Sequence, residues 1–127
     1  MVTLEHVGIC ARDTVALKNW YCQLYAMKIV YDNQKPQPTF FLQMEDGNML
    51  EIYPMEELEA QRGNKSQGIR HLSFGTDQIE KEYQRLLDFG VEIQEGLKDN
   101  GKGVKTVFFR DGEGNLIHLI QRETPLV

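Results

Sequence analysis

The sequence predicts an α+β fold of two βαβββ modules, curved mixed sheets that carry helices on one face and enclose a cavity with the other. Two observations predict it. The stretch Thr3 to Arg12, with His6 inside an alternating apolar run, returns as Gly68 to Thr76 with His71 in the same place. Each version is then followed by one stretch of helical spacing and three of alternating spacing. In both versions small residues share the histidine's face (Gly8 and Cys10; Ser73 and Gly75), and bulky ones take the other (Val7 and Ile9; Leu72 and Phe74). A chain of 127 residues is one domain's worth, so the repeat must be two half-size modules sharing one fold.

In chain order, Asp13 is placed to cap a helix whose apolar residues Leu17, Trp20, Tyr21 and Leu24 recur at i, i+3, i+4 and i+7, ending near Met27. Trp20 and Tyr21 read as helix-to-sheet core. Ile29 to Tyr31 reads as a short strand, and Asp32 to Pro38 as a loop. Thr39 to Met44 alternates, Glu45-Asp46-Gly47 turns the chain, and Asn48 to Tyr53 is the partner strand, broken by Pro54. The first module is therefore expected over residues 1–54 of a single domain spanning 1–127, with a polar linker over 55–67 and the second module over 68–127.

The second module is expected to repeat the order. Asp77, with Glu80 three residues on, is placed to cap a helix with Ile79, Tyr83, Leu86 and Leu87 as its buried stripe, and Gly90 stops it. Val91 to Gln94 reads as a strand and Lys98 to Gly103 as a glycine-rich loop that serves as connector, lid or anion nest. Lys105 to Arg110 and Asn115 to Gln121 close the module as a hairpin around Asp111-Gly112-Glu113-Gly114.

A net charge of −5 offers no basic footprint, so neither nucleic acid nor an anionic membrane surface is expected as a partner. No apolar run approaches the ~18 residues of a membrane span, and Met1 leads almost directly into a strand pattern, so a cytoplasmic protein is expected. Cys10 and Cys22 lack the spacing of a metal site or disulfide framework and read as reduced thiols; Cys10 shares the face of His6.

Alternation decides which side chains face away from the helices. Leu50 and Ile52 serve the helix side and leave Glu51 opposite; Ile117 and Leu119 do the same and leave His118 opposite. His6, Glu51, His71 and His118 thus occupy two pairs of equivalent positions, on the first and last strands of each module. Imidazole and carboxylate suit one divalent ion such as Zn, Ni, Co, Mn or Fe. A polar residue on a solvated face needs no such explanation. Here, however, Met49 and Tyr53 flank Glu51, and Leu116 and Ile120 flank His118, and a carboxylate on an apolar, enclosed surface needs a partner. An ion pair between Glu51 and a histidine, without metal, is the other way to supply one.

The sequence resembles the vicinal oxygen chelate superfamily, which includes glyoxalase I, methylmalonyl-CoA epimerase, extradiol dioxygenases and the fosfomycin and bleomycin resistance proteins. The resemblance rests on His6-Val7-Gly8-Ile9, Trp20-Tyr21 with Leu24, Arg70-His71-Leu72-Ser73-Phe74, and the hairpin from Phe109 to Ile117. It implies a metal held by His6, Glu51 and His71, where glyoxalase-type members carry ligands. At His118 the family usually has a glutamate, which in glyoxalase I takes part in proton transfer. The implied activity is a metal-dependent glyoxalase-type lyase or isomerase acting on a small substrate with adjacent oxygens, with Glu51 and then His118 as candidate bases. Glutathione is not the expected thiol, because an arginine that glyoxalase I places after its first histidine is Cys10 here. The alternatives are a small-molecule-binding or antibiotic-resistance protein of the same fold and a dioxygenase. Modules of this type resemble ones that pair edge to edge, which implies a homodimer.

Overall fold

A computed structural model describes residues 1–60 and 63–127. The chain divides into two compact units, Met1–Glu59 and Ala60–Val127. Part of the segment expected as a linker, positions 61 and 62, lies outside the described residues.

In the first unit the order is β1 (His6–Ala11), α1 (Thr14–Tyr25), β2 (Lys28–Asp32), β3 (Phe40–Gln43) and β4 (Met49–Pro54). The sheet order is β1-β4-β3-β2, with β1 parallel to β4 and the other pairs antiparallel. α1 starts where expected: the Asp13 carboxylate accepts the Ala16 N–H at 2.9 Å, satisfying one of the helix's free donors. Leu17, Tyr21 and Leu24 are buried on one side of it, as are Ile9, Ala11, Phe40, Leu42, Leu50 and Ile52 from the sheet. Each buried Leu, Ile or Phe among them contributes about 1.5–3 kcal/mol of hydrophobic stabilisation. Trp20, expected in the core, is only half-buried and meets Tyr21 edge-on, since position 20 lies at the margin of the stripe. Pro54 does not break β4 but ends it as the partner of Ala11, at a place where a missing N–H is tolerated.

The second unit repeats the order with β5 (Leu72–Gly75), α2 (Ile79–Phe89), β6 (Glu92–Asp99), β7 (Val104–Arg110) and β8 (Leu116–Arg122). Its sheet runs β5-β8-β7-β6, again with the first and last strands parallel. Two βαβββ modules with mixed sheets are therefore present, and their strand orders match position for position. The α2 face buries Ile79 and Leu86, and the sheet buries Val107, Phe109, Ile117 and Leu119.

Three local expectations fail here. Asp77 does not cap α2; Gln78 takes the cap position without a side-chain bond, and the first helical N–H, of Ile79, is accepted by the Gln121 side chain of β8 at 2.8 Å. A partner from across the sheet has displaced the local cap, which periodicity along the chain cannot register. Leu87 is 44% exposed, because it lies eight residues beyond Ile79 and has rotated off the buried stripe. β6 continues to Asp99 through two irregularities of register, so the expected strand is longer and the glycine-rich loop shorter. Gly90 does end α2: it adopts φ 81° and returns its N–H to the carbonyls of Leu86 and Leu87. No described helix is long and apolar enough to cross a membrane.

Candidate functional site

In the first module the β1–β4 seam sets Gly8 opposite Glu51, and His6 two pairs away opposite Met49. Leu50 and Ile52 are buried while Glu51 is half-buried, so alternation has turned the carboxylate away from the helix as expected. His6 Nε2 stands 3.6 Å from Glu51 Oε1, and His6 Nδ1 lies 3.0 Å from the Glu5 carboxylate. Phe41, the antiparallel partner of Glu51 on β3, meets the His6 ring edge-on at 5.1 Å, and Tyr31 of β2 meets Phe41 at 5.9 Å. Gly8 makes room for this arrangement. A Cβ there would come within 3.2 Å of the Tyr53 ring and 3.6 Å of Glu51 Oε1.

The second module carries the same plan with different groups. Ser73 is opposite His118 across the β5–β8 seam, and Phe108 is its antiparallel partner on β7. His71 stands just before β5 rather than within it. The His71 and His118 rings are 5.3 Å apart, and Phe108 stacks on His118 at 4.2 Å with 12° between planes. His71 Nδ1 is 2.9 Å from the Asn64 side-chain oxygen, and His118 Nδ1 is 3.1 Å from Ser73 Oγ. His118 Nε2 is buried and has no hydrogen-bond partner among the described residues. Loss of hydration pushes the His118 pKa below the ordinary imidazole value, helped by the nearby His71 and Arg122 and opposed by Glu95. At neutral pH it is therefore an uncharged imidazole, the form that binds metal.

The four residues singled out in the sequence are thus brought together two and two, His6 with Glu51 and His71 with His118. Among the described residues no group of three or more His, Cys, Asp or Glu side chains is close enough to hold a metal ion. The chemistry of the donors nonetheless fits one. Each histidine engages an oxygen through Nδ1, from Glu5, Asn64 or Ser73. Such a partner fixes the tautomer and orientation of a metal-ligating imidazole and raises its basicity, leaving Nε2 for the ion. An orphaned, buried Nε2 on His118 is the atom a metal would satisfy.

Several residues of this surface escaped the sequence reading. Phe41 and Phe108 occupy equivalent places opposite Glu51 and His118, and pairing the alternating stretches across each hairpin would have exposed them. Asn64 lay in the stretch expected as a polar linker, and nothing in the order of residues ties it to His71. The Gly101–Gly103 turn is a connector, not an anion nest: Asp99 accepts the Gly101 N–H, and Asn100 accepts those of Lys102 and Val104. Cys10 is exposed on β1.

Residues 3–119 match the model of the Glyoxalase/Bleomycin resistance protein/Dioxygenase superfamily. Among solved structures, the glyoxalase family protein from Enterococcus faecalis is similar at 28% identity and TM-score 0.77, over 93% of this chain and 96% of that one. Lactoylglutathione lyase from Agrobacterium tumefaciens has the same fold at 17% identity and TM-score 0.72, over 95% of this chain and 94% of that one. TioX from Micromonospora sp. ML1 does too, at 14% identity and TM-score 0.76, over 95% and 99%. No protein of curated function matches the sequence.

Proposed function

The chain belongs to the Glyoxalase/Bleomycin resistance protein/Dioxygenase superfamily, and from that premise we propose that it is a metal-dependent lyase or isomerase of the glyoxalase type. In this reading the candidate ligands of a divalent ion, Zn, Ni, Co, Mn or Fe, are His6, Glu51, His71 and His118. The observation that carries it is the buried, partnerless Nε2 of His118 in a set of three histidines whose Nδ1 atoms are all engaged by oxygen. When bound, the ion supplies a Lewis acid for the adjacent oxygens of a small substrate.

The protein's own groups do the rest. Glu51 presents Oε1 to His6 Nε2, and its carboxylate is the first candidate to take a proton from one substrate carbon and return it to the next. His118, neutral and flanked by Phe108, is the second candidate for that role. Phe41 meets the His6 ring edge-on, and Phe108 meets His71 edge-on and stacks on His118, which restricts how these imidazoles can turn. The setting is cytoplasmic, in keeping with Cys10 and Cys22 not being joined in a disulfide.

One observation favours a second reading, a binding or resistance protein that holds a small molecule without chemistry: no group of three ligands is assembled among the described residues. Elemental analysis of the purified protein separates the two, followed by removal and restoration of the metal and a screen of methylglyoxal with several thiols. The enzyme reading expects a stoichiometric ion, turnover that follows it, and a His71→Ala variant whose calorimetric metal uptake is abolished. Uptake by that variant equal to the parent's would place the ion elsewhere. A metal-free protein that still binds a ligand would establish the second reading.

A further inference from the structure

We infer that Ser73 is a positioning residue for His118, holding its imidazole with the proton on Nδ1 and Nε2 bare. The argument starts from the two seams. Gly8 and Ser73 are equivalent, as are Glu51 and His118, and each pair is directly opposed across its parallel seam. Glycine leaves the space beside Glu51 open: a methyl group at position 8 would press on the Tyr53 ring at 3.2 Å and reach van der Waals contact with the carboxylate at 3.6 Å. An imidazole has a different need. One of its nitrogens is turned to the adjacent strand, and there Ser73 supplies an oxygen at 3.1 Å. The two exchanges, glycine for serine and glutamate for histidine, form one matched change.

The hydroxyl can donate or accept, so the other nitrogen decides which it does. With the proton on Nε2, the ring would bury an N–H that has no acceptor among the described residues, at a cost of about 1–3 kcal/mol. With the proton on Nδ1, the ring donates to Ser73 Oγ and Nε2 keeps only a lone pair, the lesser loss for a buried atom. Phe108 stacked on one face and His71 set against the ring restrict the rotation that would exchange the two nitrogens. With its Nδ1–H accepted by Ser73 Oγ, the ring is held in this tautomer, and the advantage ends if the hydroxyl is removed. The consequence for metal rests on the function proposed above; the tautomer does not.

The test reads the two separately. Long-range 1H–15N correlation spectra of the metal-free parent should show His118 with its proton on Nδ1. Ser73→Ala leaves the Nδ1 proton without its acceptor, so it should lower the share of His118 rings protonated on Nδ1 and weaken Zn(II) binding, followed by calorimetry, about ten-fold. Ser73→Thr, which keeps the hydroxyl, should restore both. Circular dichroism confirms that the variants are folded, and Ser73→Thr keeps the test decisive if alanine disturbs β5. A parent with the proton on Nε2, or an alanine variant with an unchanged tautomer, overturns the proposal. A parent that takes up no Zn(II) but shows the stated tautomer change upholds the role of Ser73 and overturns the metal reading instead.

Discussion

Ala26 carries a strain that the rest of α1 does not. It closes the helix at φ 51°, in the left-handed region where a Cβ is costly and where α2 uses Gly90. Ala26→Gly should therefore raise stability by ~1 kcal/mol, read as a higher denaturant midpoint with an unchanged slope. That position shows the limit of reading residues alone: composition gives no glycine at the end of α1, yet the chain turns there all the same. His6, Glu51 and His118 were legible because alternation decides faces, and their faces are as expected. Asn64 and Glu5 were not, since a hydrogen bond from a loop to a ring nitrogen leaves no period in the sequence.

Among elements, the hairpin turns depend most on single side chains. Asp111, 6% exposed, accepts from the N–H groups of Glu113 and Asn115 and from the Asn115 side chain. Asp111→Ala removes a buried, charged acceptor from three donors and should cost ~3 kcal/mol, measurable by chemical denaturation. The β3–β4 turn has a lighter version in Asp46, whose carboxyl is held below its ordinary pKa first by the Asn48 N–H and then by the Asn48 side chain. Its folded value being the lower one, the stabilisation is complete above the ordinary carboxylate value of about 4 and is lost as pH falls through the folded value. The melting temperatures of the parent and Asp46→Ala should differ at pH 6 and converge in that acid window. Both turns were visible in the sequence as Asp-Gly signals, whereas the cap of α2 was not, because Gln121 reaches it from 42 positions further along the chain.

At the scale of the molecule, each four-stranded sheet has two edge strands, and β2 is exposed along its whole length with Ile29, Val30 and Tyr31 at 44%, 44% and 52%. Apolar edge strands invite pairing. A homodimer is the expected outcome, and sedimentation at micromolar concentration checks it: a single species at the mass of one 14.7 kDa chain would refute it.

The parallel seams have a temporal consequence. A hairpin such as β3–β4 joins neighbours in the chain, but Ser73 and His118 are 45 positions apart, and a long loop must close before β5 and β8 meet. The same holds for β1 and β4. Each candidate pair, His6 with Glu51 and His71 with His118, therefore straddles the pairing that is entropically slowest to form. An ion seated there would act as a clasp, and amide exchange along β1 and β5 should slow when it binds, more than along β3 or β7.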